Sequence, residues 1–183
     1  MTVIVAAMGW SWQDAEVDPL TGAISADRHD RGPSPSELAA LEHGLRLAPR
    51  WDAQVIAAAV GPGEADAMLR DALAAGAAEA LRVESDSGGA GPRPADLVGG
   101  GPESAAALAV ALRQRYGLPD LVLCGDRSTD GGTGSFPAFL AAALGAEQAL
   151  GVVRMEPEDG MLRVHRRLDG GRLHGHHGGS AHQ

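Results

Sequence analysis

Four short runs, apolar or nearly so and each followed by a helix start, constrain this chain more than anything else in it. They are residues 2–7 (TVIVAA), 55–60 (VIAAAV), 80–83 (ALRV) and 121–124 (LVLC). Each is long enough for one buried strand and too short for a helix. The first helix start is Ser34-Pro35-Ser36-Glu37: Ser at the N-cap, Pro at the first helical position, Glu three residues on. Leu38, Leu41 and Leu45 then fall on one helical face. A second helix from about Glu64 carries Met68, Leu69, Ala72 and Leu73 on its apolar side. A third starts at Pro102 and stops at Gly117, a C′ glycine. A fourth covers about residues 135–144.

Strands that alternate with helices predict an α/β fold, a doubly wound, mostly parallel sheet with helices on both faces and strand order 3-2-1-4-5. Residues 150–155 and 162–168 read as two more strands around Glu156-Pro157-Glu158-Asp159-Gly160, a C-terminal β-hairpin. Asp18-Pro19-Leu20-Thr21-Gly22 is turn chemistry. Residues 85–101, rich in Gly, Pro and Ser, read as a surface loop inside one domain of residues 1–170.

Composition narrows the partners. The formal charge of -9 argues against a nucleic-acid backbone. All 15 Lys/Arg cations are Arg, which with so much Ala and Gly points to a GC-rich bacterial gene. The N-terminus lacks the basic segment of a signal peptide, and no run approaches a membrane span. Cys124 is the single cysteine, which fits a reducing cytoplasm.

The strand at 121–124 ends at Gly125 and leads into Asp130, Gly131, Gly132, Thr133 and Gly134, then a helix. A strand, a glycine-rich turn and a helix start leave backbone N–H groups free for an anion, and glycines let a phosphate come close. Thr133 can add a hydroxyl donor, and Arg127 is the cation near this loop. No Lys follows the glycines, so this is not a P-loop, nor is it a G-x-G-x-x-G fingerprint. A tight surface turn is the alternative. The topology favours the ligand: in this strand order the winding reverses between strands one and four, whose ends are Ala6-Ala7 and Gly125.

Five segments, in order, resemble the beta subunit of electron transfer flavoproteins. VDPLTGAI is similar to an Asp-Pro-x-Thr-Gly turn, and SPSELAALEHGLRL to an Asn-Pro helix start. VGPGEADAMLRDALAAGAAEALRV is similar to a Gly-Pro, Leu-Arg-x-Ala-Leu-Ala-x-Gly-Ala segment. PDLVLCGDRSTDGGTGSF is similar to a Gly-x-x-Ser-x-Asp-Gly-x-Thr-Gly-Gln loop, and MLRVHRRLDGG to the following hairpin. The resemblance implies an adenine nucleotide alpha hydrolase-like sheet. It implies an electron-carrying subunit that pairs with an alpha subunit and serves flavoprotein dehydrogenases, without turnover of its own. It also implies a cytoplasmic heterodimer without membrane insertion, with AMP (or FAD) in the beta pocket and an FAD shared with alpha. The implied cofactor-binding residues are Ala6 at the end of strand one, Ser34, Pro35, Ser36 and Glu37 at the helix start, and Val60 near the adenine. Gly125, Arg127, Ser128, Asp130, Gly131, Gly132, Thr133, Gly134, Ser135 and Phe136 wrap the phosphate.

The chain departs from that pattern at Ser34 (usually Asn), at Ser36 (Phe or Leu), at Ser135 (Gln) and at Met8-Gly9, where a Lys-Gln or Lys-Arg pair is usual. These departures suggest a divergent subgroup, the one associated with mycofactocin-dependent dehydrogenases. After Gly171 the family continues with a strand, a recognition loop and an arm. Here residues 171–183 form a Gly/His-rich tail with His174, His176, His177 and His182, expected to be disordered and a truncated or altered end, with metal binding as the other reading.

Cys124 reads as a core residue and His165 as solvated beside Arg163 and Arg167. Trp10, Trp12 and Trp51 are too scattered for a stacking platform. No nucleophile triad or carboxylate pair stands out, so no self-contained enzyme is expected and no metal site is assigned. The rival reading is a stand-alone nucleotide-binding regulator like the universal stress proteins, with ATP or AMP on a homodimer.

Overall fold

The computed structural model describes residues 2–12, 16–21, 24–25, 31–84, 101–127, 134–158, 161–167 and 173–178. In chain order the elements are β1 (Thr2–Met8), four two-residue strands β2 (Ser11–Trp12), β3 (Glu16–Val17), β4 (Ile24–Ser25) and β5 (Arg31–Gly32), then α1 (Pro35–Trp51) and β6 (Ala53–Gly61). A 3-10 turn at Gly63–Ala65 leads into α2 (Asp66–Ala75), β7 (Glu79–Glu84), α3 (Pro102–Tyr116), β8 (Leu121–Cys124) and α4 (Phe136–Leu144). The last three strands are β9 (Val152–Glu158), β10 (Met161–Arg167) and β11 (Leu173–Gly178).

The central sheet has four parallel strands in the order β7-β6-β1-β8. Successive side chains of a strand point to opposite faces, and a central strand must satisfy both. β1 does so with apolar residues at every position after the first. Ile4, Ala6 and Met8 enter a core with Leu41 and Leu47 of α1 and Met68 and Leu69 of α2. Val3, Val5 and Ala7 enter a second core with Leu108 and Leu112 of α3 and Leu140 and Leu144 of α4. Helices therefore cover both faces, as expected. The alanines of β6 (Ala57, Ala58, Ala59) are fully buried and let those helices lie close. Gly44 of α1 does the same from the helix side: a Cβ there would stand 3.5 Å from Ile4 and Val55 and 3.6 Å from Leu123. One helix thus rests across β1, β6 and β8, and its N-terminus comes to the C-terminal edge of the sheet.

β1 continues to Met8, so Ala6 lies two residues inside the strand, fully buried, rather than at its end. Leu38 and Leu73, expected on apolar helix faces, are 50% and 41% exposed, because each sits at the margin of its stripe. The strand after α4 does not join the parallel sheet. It pairs in the antiparallel sheet β11-β10-β9, whose Leu162 and Val164 pack on the first core. Within the tail expected to be disordered, the backbone of Leu173–Gly178 pairs instead with β10. Among the described residues, β8 is the last strand of its sheet. A cavity of about 640 Å3 runs along its outer side, between α1, α4 and residues 146–155.

Candidate functional site

The C-terminal ends of β1 and β8 are tied together by α1. Ser34 is the N-cap, in extended backbone, and is only 1% exposed. Its Oγ accepts from the Glu37 N–H at 3.3 Å, and the Ser34 N–H donates to Glu37 Oε2 at 2.6 Å. This is a complete capping box, and Pro35 stands at the first helical position, where a missing N–H costs nothing. The other carboxylate oxygen of Glu37 reaches out of the helix and accepts from the Gly9 N–H at 2.8 Å. One side chain therefore caps its own helix and holds the residue that follows β1. Its negative charge sits at the positive end of the helix dipole.

Next to it, Ser36 Oγ lies 3.0 Å from Ser34 Oγ and donates to the Arg127 carbonyl at 3.1 Å. The turn after β8 is thereby fastened to α1 through backbone, while the Arg127 side chain is exposed. Gly125 explains how the turn comes so close. A Cβ there would lie 2.6 Å from Glu37 Cγ, 2.7 Å from Ser36 Oγ and 3.0 Å from Glu37 N. On the far side of the turn, a Cβ on Gly134 would run into the Asp126 carbonyl oxygen.

The start of α4 is built differently. Ser135 precedes Phe136 with helical backbone and makes no side-chain cap hydrogen bond. The second helical residue is Pro137, so the first-turn amides of α4 are those of Phe136 and Ala138. Phe136 is half-buried against the second core.

The residues expected from the sequence thus divide. Ser34, Ser36, Glu37, Gly125 and the Arg127 backbone are brought into one bonded cluster. Pro35, Gly134, Ser135 and Phe136 stand around it. Val60 is the penultimate residue of β6, packed on the second core. Ala6 contributes only to the interior. Ser128, Asp130, Gly131, Gly132 and Thr133 lie outside the described residues.

The sequence marked Gly9 only as a departure from the family pattern and gave Asp126 no role of its own. The signal for Gly9 was its place directly after a β-branched strand, where a glycine marks close approach of a neighbour. Cys124 closes β8 under this cluster and packs on the second core. Burial pushes its thiol up to about 12, and the Glu37 carboxylate adds to the shift, so at neutral pH it is a protonated core residue. His165 shares the outer face of β10 and lies 3.4 Å from Glu156 Oε2, whose carboxyl it holds below the usual range. Among the described residues no group of three or more His, Cys, Asp or Glu is arranged to hold a metal ion. No helix there is long and apolar enough to cross a membrane.

Comparison with known proteins agrees in kind. The family model described as the electron transfer flavoprotein domain matches residues 21–174. The electron transfer flavoprotein subunit beta of Thermoanaerobacterium thermosaccharolyticum is 31% identical over 159 residues, 86% of this chain and 57% of that protein. Protein FixA of Rhizobium meliloti is 31% identical over 158 residues, 85% of this chain and 52% of its own. The subunit beta of Mycobacterium tuberculosis is 31% identical over 137 residues, 72% of this chain and 48% of its own. The chain spans about half the length of these curated relatives.

Proposed function

Because the chain belongs to the electron transfer flavoprotein family, we propose that it serves as a beta-type subunit of such a carrier and holds an adenine nucleotide at the C-terminal edge of β1, β6 and β8. The observation that carries this reading is the contrast between the two helix starts at that edge. The start of α1 is closed by its own side chains, with a carboxylate seated in it. That charge repels a phosphate. Among the described residues the start of α4 has no side-chain cap, and it follows the glycine-rich segment of residues 131–134, the kind of sequence that lets a ligand approach backbone. We therefore assign the phosphate to the α4 side, with donors from residues 128–136, and the uncharged nucleoside to the α1 side, beside Gly9 and the end of β6.

We take the ligand to be an adenylate, whether AMP or the adenosine half of FAD. An FAD shared with an alpha-type partner would supply the electron-carrying chemistry when bound. The residues of this chain bind, orient and shield. In this reading they carry out no turnover of their own, and the carrier meets flavoprotein dehydrogenases in the cytoplasm. The family match favours this over a stand-alone stress-type regulator.

The test is mass spectrometry of the small molecule released when the never-dialysed chain is heat-denatured. AMP is the expected result. FAD would keep the site and change its ligand. ATP on a homodimer would favour the stand-alone regulator, and a chain that stays empty even when co-expressed with an alpha subunit would overturn the reading.

A further inference from the structure

Trp10 has no role in the scheme above, yet both of its chain neighbours are tethered at the sheet's C-terminal edge. On one side the Gly9 N–H is held by Glu37 at 2.8 Å. On the other, Ser11 is 4% exposed, its Oγ donates to the Gly32 carbonyl at 3.4 Å, and β2 pairs with β5 just before the α1 cap. Trp10 itself is half-buried and packs on the first core. It lies against β6 at Gly61, the last residue of that strand. A Cβ built there would be 3.5 Å from Trp10 Cβ, 3.8 Å from its Cγ and 3.3 Å from Ala65 Cβ. The missing side chain at Gly61 thus gives Trp10 its seat between the ends of β1 and β6.

A large aromatic held at a sheet's ligand edge, with part of its surface still open, presents area at little further entropic cost on binding. We infer that Trp10 is a specificity-determining residue that contacts the purine ring of the bound adenylate. The inference rests on the nucleotide reading above. It assigns the ring end of the ligand to β1 and β6, opposite the phosphate end at α4.

The test uses the full chain, dialysed free of small molecules, with Trp12→Phe and Trp51→Phe leaving Trp10 as the only tryptophan. AMP should change its fluorescence, and ribose 5-phosphate, which lacks the base, should not. In calorimetry on the otherwise native chain, Trp10→Ala should weaken AMP about tenfold, within the range known for base–aromatic stacking. Trp10→Phe should restore most of that, and ribose 5-phosphate should bind Trp10→Ala and the native chain alike. If AMP binds but neither Trp10 fluorescence nor the Trp10→Ala affinity responds, the contact is overturned while the nucleotide site stands. Equal weakening of AMP and ribose 5-phosphate would show that Trp10 only supports the fold and would also overturn it. If AMP binds neither the native chain nor its complex with a co-expressed alpha subunit, the nucleotide reading falls, and this inference with it.

Discussion

Two helices begin at the same edge of one sheet and are finished in opposite ways. α1 closes itself: Ser34 and Glu37 satisfy each other's backbone, Glu37 goes on to hold Gly9, and Ser36 holds the turn at Arg127. α4 begins with a serine that makes no cap bond and a proline that has no N–H to offer. The first amides of a helix are satisfied by the chain, by water or by a ligand, so an uncapped start leaves them open to a ligand. The closed start is a structural joint that fixes where β1 and β8 end. The uncapped one is where we propose the phosphate. The sharpest way to break this contrast is to open the closed start. Glu37→Ala removes an ionised acceptor shared by two part-buried amides, those of Ser34 and Gly9. Hydrogen bonds to charged groups are worth about 1.5–3 kcal/mol each, and some water will replace the lost ones, so a loss of about 3 kcal/mol is expected in denaturant unfolding. A loss below about 1 kcal/mol would mean that the joint is not one.

Gly125→Ala attacks the same joint from the strand side. Its methyl would meet Glu37 Cγ at 2.6 Å and the Glu37 backbone nitrogen at 3.0 Å. Backbone cannot swing away as a flexible side chain can. Either the turn after β8 lifts off α1 or α1 shifts on the sheet, at a cost of about 2 kcal/mol. Since that turn leads into the glycine-rich segment, nucleotide retention should fall with stability. A stable variant with full retention would show that the turn need not approach α1 at all.

How far the sequence carried the reading depends on the range of each interaction. The α1 cap was legible because a capping box is a contact between residues three apart. Strands β1, β6, β7 and β8 were legible because β-branched and alanine runs bounded by glycine leave few alternatives. The bond from Glu37 to Gly9 spans 28 residues and that from Ser36 to Arg127 spans 91, so no local pattern announces either. The same limit explains β9. The turn residues 156–160 named its hairpin partner β10 correctly, but alternation does not say whether a strand also joins the parallel sheet, and β9 does not pair with β8. The end of β1 was set too early because Met8 is no strand signal by itself. Its pairing with Ala59 keeps it in the ladder.

The smaller predictions compare the two serines directly. Ser34→Ala deletes the side-chain acceptor for the Glu37 N–H and the neighbour of Ser36 Oγ. It should lower stability by about 1 kcal/mol, the usual worth of an N-cap, and affect nucleotide affinity only through that loss. Ser135→Ala should do the reverse. Its hydroxyl caps nothing, so stability should stay within about 0.5 kcal/mol of the native chain. If the hydroxyl instead donates to a phosphate at the start of α4, AMP should bind about fivefold more weakly, the equivalent of one hydrogen bond of about 1 kcal/mol. The pair of measurements separates the two helix starts without reference to any relative. A Ser135→Ala chain that loses stability but keeps its affinity would make α4 another self-closed helix, and the phosphate would then have to be sought away from it.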